Sequence, residues 1–329
     1  MSAILEVKNL CVQYYSDDTT VYALNDVSLQ LHNGEVLGLV GETGAGKTTL
    51  AKSIMQFIPP TQGEITDGEI IYDGKNLLEI SDKELRSIRG QSISMIFQNP
   101  MTSLNPVITV GEQIAEVVQI HENISKSKAI ERAIEMLELV GIPGERHAEY
   151  PHQFSGGMKQ RVVIAIALAC NPKILLADEP TTALDVTIQA QVLELMDRLR
   201  REKNTSMILI THDLGVVAQN CDNVAVIYAG EIIEYGNVQD VFLKHLHPYT
   251  TGLLNAIPSL VKEVRRLNVI EGQMPNPTQK IVGCKFRERC KHCIAKCAEA
   301  LPPMIELENG HQVKCWLYED QQKTREVTQ

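Results

Sequence analysis

Long apolar runs are missing from this sequence: the longest, Val162 to Cys170, is nine residues, against the roughly 20 a helix needs to span a bilayer. Any membrane role is therefore expected to be peripheral. The opening, Met1 to Lys8, has no basic-then-apolar order and carries charge by its sixth residue, so a secretory leader is not expected and the chain is expected in the cytoplasm. A cationic surplus is missing too. The 31 basic residues face 41 acidic ones, net −10, which argues against broad binding to a nucleic-acid backbone. No internal repeat or low-complexity tract occurs, and 329 residues suffice for two or three domains with a substantial core.

A distributed disulfide framework is not expected of a cytoplasmic chain of this size. Of the eight cysteines, Cys11, Cys170 and Cys221 are scattered in apolar surroundings. Cys284, Cys290, Cys293, Cys297 and Cys315 crowd into the last fifth, a distribution that suits metal or redox chemistry.

The chain does contain a phosphate loop: Gly41-Glu42-Thr43-Gly44-Ala45-Gly46-Lys47-Thr48. Its glycines let successive N–H groups converge on an anion, Lys47 can reach terminal phosphates, and the Thr48 hydroxyl can sit on Mg2+. The context agrees. Val36 to Val40 reads as a buried strand before the loop, and Thr49 to Met55 as a helix whose positive dipole end faces the phosphates.

Alternation over Ile4 to Leu10 and Val27 to Leu31, separated by a polar loop at Ser16 to Thr20, predicts an antiparallel β layer. Gly63 to Ile65, Gly68 to Gly74 and Ser94 to Phe97 add short strands around turn signals. Three- and four-residue spacing from Thr109 to Val140 predicts a helical insert, and Ser155 stands as the cap of an apolar helix over Met158 to Cys170. Strands at Ile174 to Ala177, Met207 to Ile210 and Val224 to Tyr228, with a helix at Val186 to Glu202, imply an α/β core with a mainly parallel sheet. Beyond Gly236 the regularity weakens. The expected division is a nucleotide-binding domain at 1–236, with its helical part near 100–165, and a cysteine-bearing extension at 237–329.

Asp178 and Glu179 end an apolar strand, where one carboxylate can hold the magnesium shell and the other can orient or deprotonate water. His212 ends the strand from Met207; alone, such a histidine is more often a satisfied polar tip than a catalyst.

The order of Gly41 to Thr48, Gln98 in Phe97-Gln98-Asn99-Pro100, Phe154 to Met158, Ile174 to Pro180, Leu184-Asp185 and His212 resembles an ABC transporter ATPase subunit. The resemblance implies a P-loop ATPase fold that binds ATP through Gly41 to Thr49 and magnesium through Thr48, Gln98 and Asp178. It makes Gln98 the residue that touches magnesium and the attacking water and senses the membrane partner. Glu179 becomes the catalytic base, His212 the γ-phosphate contact, and Asp185 the link between the two sites of a dimer. Ser155, Gly156 and Gly157 become the signature that closes over ATP held by the opposite subunit. The chain departs from that signature with Phe154 for Leu and Met158 for Gln, and Met158 cannot donate the hydrogen bond a glutamine would. Tyr14, with Tyr15 and Tyr22 behind it, is the expected adenine platform; packing within the β layer is the alternative.

Phe97 to Pro106, Phe154 to Arg161 and His247 to Leu254 look like the dipeptide and oligopeptide importer branch, parts of which nickel importers share. The implied partners are a second ATPase subunit, identical or different, two membrane-spanning permeases, and an extracytoplasmic peptide-binding protein acting through the complex. No nucleic-acid partner is expected, and the implied place is the cytoplasmic face of the membrane. The rival class, a soluble ABC-type ATPase acting on nucleic acid or ribosomes, usually has two ATPase units or a long coiled coil, and neither is seen. The spacings of Cys284, Cys290, Cys297 and Cys315 are similar to those of the four cysteines that bind an iron-sulfur cluster in this branch, with Cys293 extra. Lys285, Arg287, Arg289, Lys291 and Lys296 are expected to favour thiolates and offset the charge of a four-iron four-sulfur cube. A structural zinc, free thiols and a redox-sensing role remain alternatives.

Overall fold

Ala3–Ser16 and Thr19–His32 form two long strands whose inward residues are buried, Leu5, Val7, Leu10 and Val12 on the first and Leu24, Val27, Leu29 and Leu31 on the second. The period of two seen in the sequence is thus realised as one apolar face. The computed structural model describes residues 3–16, 19–182, 184–256 and 270–320, so the middle of the polar loop at Ser16 to Thr20 lies outside the described residues. Gly63–Tyr72 pairs antiparallel with the first strand, from Leu5 opposite Tyr72 to Tyr14 opposite Gly63. The sequence predicted two strands, Gly63 to Ile65 and Gly68 to Gly74, but the strand is continuous. Its register shifts around Cys11, and Gly68 bulges with φ +100° where an added Cβ would lie 2.6 Å from the Leu10 backbone.

The described residues divide into two compact units that interleave in sequence, one drawn from residues 3–4, 31–36 and 75–210, the other from residues 5–30, 37–74 and those described after 210. In the first, Ile93–Ile96, Ile174–Asp178 and Ser206–Ile210 run parallel, with Ile96 opposite Ala177 and Asp178 opposite Ile210. All three strands are buried throughout, which explains their unbroken apolar character. The expected helical insert is a pair, Val110–His121 and Lys126–Leu139, whose caps Thr109 and Ser125 accept the N–H groups of Glu112 and Lys128. Ile114, Val118, Ala129, Ala133, Met136 and Leu137 form the buried faces of this pair.

In the second unit, Val36–Val40 lies parallel to Asn223–Tyr228, which turns back antiparallel into Glu231–Asn237. The sheet continues through Gln312–Val313 to Ile305–Glu306, so residues near the C-terminal end extend it. Two buried carboxylates fasten that extension. Glu234, fully buried, accepts the N–H groups of Leu246 and His247 at 2.8 and 2.9 Å and meets His311 Nε2 at 2.8 Å. Glu231 sits between Lys285 and Lys314, at 3.0 and 3.1 Å. Buried acids persist only when so matched. Around them Tyr228, Tyr249 and Phe286 interlock, ring centroids 4.6 to 5.5 Å apart.

Candidate nucleotide site

The loop from Gly41 runs off the fully buried strand Val36–Val40 into the helix Lys47–Ile54. Side chains are barred where the loop is tightest. A Cβ on Gly41 would stand 2.2 Å from the Ile227 carbonyl oxygen, and Gly46 adopts φ +109° with the Ala23 carbonyl 2.9 Å from a would-be Cβ. The Lys47 ammonium donates back to the carbonyls of Gly41 and Glu42, at 2.7 and 3.0 Å. Lys47 is therefore preset within the loop, with the N-terminal dipole of its helix beside it. The Ala45 carbonyl accepts the Gly230 N–H at 2.8 Å. Glu42 is held outright: its N–H donates to the Tyr249 hydroxyl at 2.9 Å, and its carboxylate takes both arms of the Arg289 fork at 2.9 and 3.0 Å. Nothing in the local sequence announces these two anchors.

In the other unit Asp178 is buried at its strand end, and Glu179 follows with φ +46°. A non-glycine residue in that region stores strain, as reactive positions often do. The Glu179 N–H is tied to the Ile210 carbonyl at 2.9 Å. Its Oε2 accepts from Gln98 Nε2 at 2.9 Å and from the Thr182 hydroxyl at 2.8 Å. Two residues joined only by resemblance, Gln98 and Glu179, are thus in direct contact. Thr182 was not foreseen.

Ser155 caps the helix Gly156–Leu168, its hydroxyl accepting the Met158 N–H at 3.4 Å. A Cβ on Gly156 would meet nothing within 4 Å, whereas one on Gly157 would press 2.7 Å from Ile188 Cγ2. One glycine leaves the helix tip open and the other lets the next helix approach. Asp185 caps that helix, Val186–Lys203, through the Ile188 N–H at 3.0 Å. Arg146, also unforeseen, braces the signature from beneath: its guanidinium lies 4.4 Å from the centre of the Phe154 ring, grips Glu149, and donates to the Met158 sulfur at 3.4 Å. Both departures from the general signature, Phe154 and Met158, touch this one arginine.

Comparison with known proteins agrees. The family described as ABC transporter matches residues 24–182, and that described as oligopeptide/dipeptide transporter, C-terminal region, matches residues 233–297. The dipeptide transport ATP-binding protein DppD of Bacillus subtilis is 50% identical over 96% of this chain and 95% of its own. The oligopeptide transport ATP-binding protein OppD of Escherichia coli is 48% identical over 95% and 93%. The chain belongs to the ATP-binding subunits of the oligopeptide and dipeptide ABC transporters. Among solved structures, the dimeric ATP-binding cassette MJ0796 bound to ADP and phosphate aligns with a TM-score of 0.64 at 30% identity, over 71% of this chain and 98% of that one.

Among the described residues of this ABC subunit, no helix is long and apolar enough to cross a membrane. His212 is exposed, next to Asp213, which caps the helix Leu214–Asn220. Of the three tyrosines, Tyr15 donates to Glu64 and Tyr22 lies 5.2 Å beneath the Lys280 ammonium. Tyr14 sits opposite Gly63, whose added Cβ would be 2.8 Å from the Tyr14 ring.

Cys284, Cys290, Cys297 and Cys315 line one cavity with His247, Phe286, His292 and Trp316, and the exposed Cys293 is not among its lining residues. No described group of three or more His, Cys, Asp or Glu is arranged to hold a single metal ion. Burial works against the expected thiolates. Burial pushes the Cys284 thiol up to about 12 and Cys315 up to about 11, and raises Cys290 as well. Four of the five basic residues have partners of their own: Lys285 with Glu231, Arg289 with Glu42, Lys296 with Glu319, and Arg287 with the Val282 carbonyl.

Proposed function

We propose that this subunit hydrolyses ATP to drive uptake of dipeptides or oligopeptides across the cytoplasmic membrane, paired with a second ATPase subunit beneath two permeases that receive cargo from an extracytoplasmic binding protein. The observation that carries the reading is the preset lysine loop, Lys47 bonded to the Gly41 and Glu42 carbonyls, in a chain half identical to dipeptide and oligopeptide transport ATP-binding proteins over nearly its whole length. Lys47 offsets charge on the terminal phosphates, Glu179 takes a proton from the attacking water, and Gln98 fixes the Glu179 carboxylate toward that water. Phosphate then leaves ADP. The Thr48 hydroxyl, the Gln98 amide oxygen and the buried Asp178 carboxylate are oxygen donors, as magnesium requires; they would hold the ion, which would offset phosphate charge. His212 contacts the γ-phosphate, Tyr14 stacks on adenine, and Asp185 with Ser155, Gly156 and Gly157 serves the partner subunit's nucleotide.

The four cavity cysteines are proposed to hold a four-iron four-sulfur cluster in the extension at 237–329. A zinc ion needs its sulfurs about 2.3 Å from one centre, and no such convergence exists among the described residues. A cube takes one sulfur at each of four corners, so thiols spread round a cavity suit it better. The cluster would serve as a covalent cross-link of this extension.

Reconstitution of the four-subunit membrane complex in vesicles, with binding protein and ATP inside or outside as orientation demands, tests the main reading. Labelled di- or oligopeptide should accumulate only with hydrolysable ATP. Accumulation of nickel without peptide, or recovery of the subunit on ribosomes with no permease, would replace it.

A further inference from the structure

We infer that Arg289 and Tyr249 are positioning residues for ATP binding: the region after residue 237 sets the shape of the phosphate loop before nucleotide arrives. The inference rests on the ATPase reading and adds two residues to it. The loop's second residue, Glu42, is fixed by both of its polar handles. Tyr249, fully buried, takes the N–H, and Arg289, its side chain 5% exposed, grips the carboxylate through two parallel bonds. That leaves neither handle to wander, and a planar fork on a carboxylate fixes direction as well as distance.

The anchors are themselves immobilised. Arg289 also donates to the carbonyls of Ile270 and Glu271 at 3.2 and 3.0 Å, and its guanidinium lies 5.8 and 5.9 Å from the ring centres of Tyr228 and Phe286. Phe286 in turn packs on Tyr249. The two contacts on Glu42 are therefore joined through one aromatic cluster. Lys47 donates to the Glu42 carbonyl, so the residue Arg289 holds is also the residue that seats the phosphate-binding lysine.

A residue acting by this route changes how well the loop receives phosphate and leaves the chemical step alone. In the assembled transporter, Arg289→Gln should raise KM for MgATP about tenfold with kcat held within twofold. Arg289→Lys, which keeps the charge and loses the fork, should fall between. Tyr249→Phe keeps the ring packing and should raise KM severalfold with an unchanged melting temperature, guarding against a folding defect in the arginine variants. Glu42→Gln combined with Arg289→Gln should cost less than the product of the single changes, because the carboxylate is then no longer left unpaired. Lowered melting temperatures with KM unmoved in all four variants, or purely multiplicative effects, would overturn the inference. Wild-type complex that hydrolyses no ATP would instead overturn the parent reading.

Discussion

Glu179, the proposed base, is held by Gln98 and Thr182 on one oxygen and by a strained backbone. Glu179→Gln keeps size and hydrogen bonding but removes the proposed base. ATP binding should persist while turnover falls at least a hundredfold, and a binding isotherm beside a phosphate-release assay checks both. His247 offers a second prediction at this scale. Burial, opposed in part by Glu234, lowers it to about 4, and its Nδ1 accepts the Tyr249 N–H, so the folded protein holds it neutral. The unfolded imidazole titrates near 6.5. Its stabilisation is therefore complete above about 6.5 and drains away as pH falls toward about 4, by up to roughly 3 kcal/mol. Urea unfolding at pH 7 and 4.5 should show that loss, and His247→Asn, which retains a capping acceptor, should shrink it. Gly41 to Thr48 could be read directly because a phosphate loop is contiguous and glycine leaves a local mark. Arg289 could not, since it lies 247 residues from the Glu42 it holds.

Among the elements, those with strict periodicity were legible nearly to their ends: the predicted helix from Val186 to Glu202 is Val186–Lys203, and the strand from Ile174 to Ala177 is Ile174–Asp178. The failures share a cause. The gap expected between Ile65 and Gly68 is a bulge, which bends a strand without ending it. The burial of Glu231 and Glu234 was not legible in the sequence, because their partners come from residues 246 to 314. The signature helix allows a direct test of element packing. Gly157→Ala would put a methyl 2.7 Å from Ile188 Cγ2, an overpacking expected to cost about 1–3 kcal/mol. Adding Ile188→Ala should recover much of it, as denaturant melts of the single and double variants would show.

At the scale of the whole molecule, the family matches at 24–182 and 233–297 are separate stretches of sequence, yet strands from after residue 300 extend the same sheet edge as Glu231–Asn237. Cysteine spacing suggested a shared cluster, and the fold shows four of the cysteines lining one cavity; spacing could not foretell that Lys285, Arg289 and Lys296 would be paired with carboxylates. Protein purified without oxygen should contain iron and acid-labile sulfide in near-equal amounts. Cys290→Ser should lower both together, and zinc in their place would refute the cluster.

The hairpin turn between Tyr228 and Glu231 has both residues, Ala229 and Gly230, at positive φ, as a two-residue primed turn demands. Its four backbone groups are heavily subscribed: Gly230 N–H reaches Ala45, Gly230 C=O receives Asn25, and Ala229 C=O receives Lys285. Three distant stretches of chain thus hang from a single knuckle two residues wide. Any displacement of that knuckle would strain its bonds to the phosphate cradle, the β layer and the cysteine-bearing tail together.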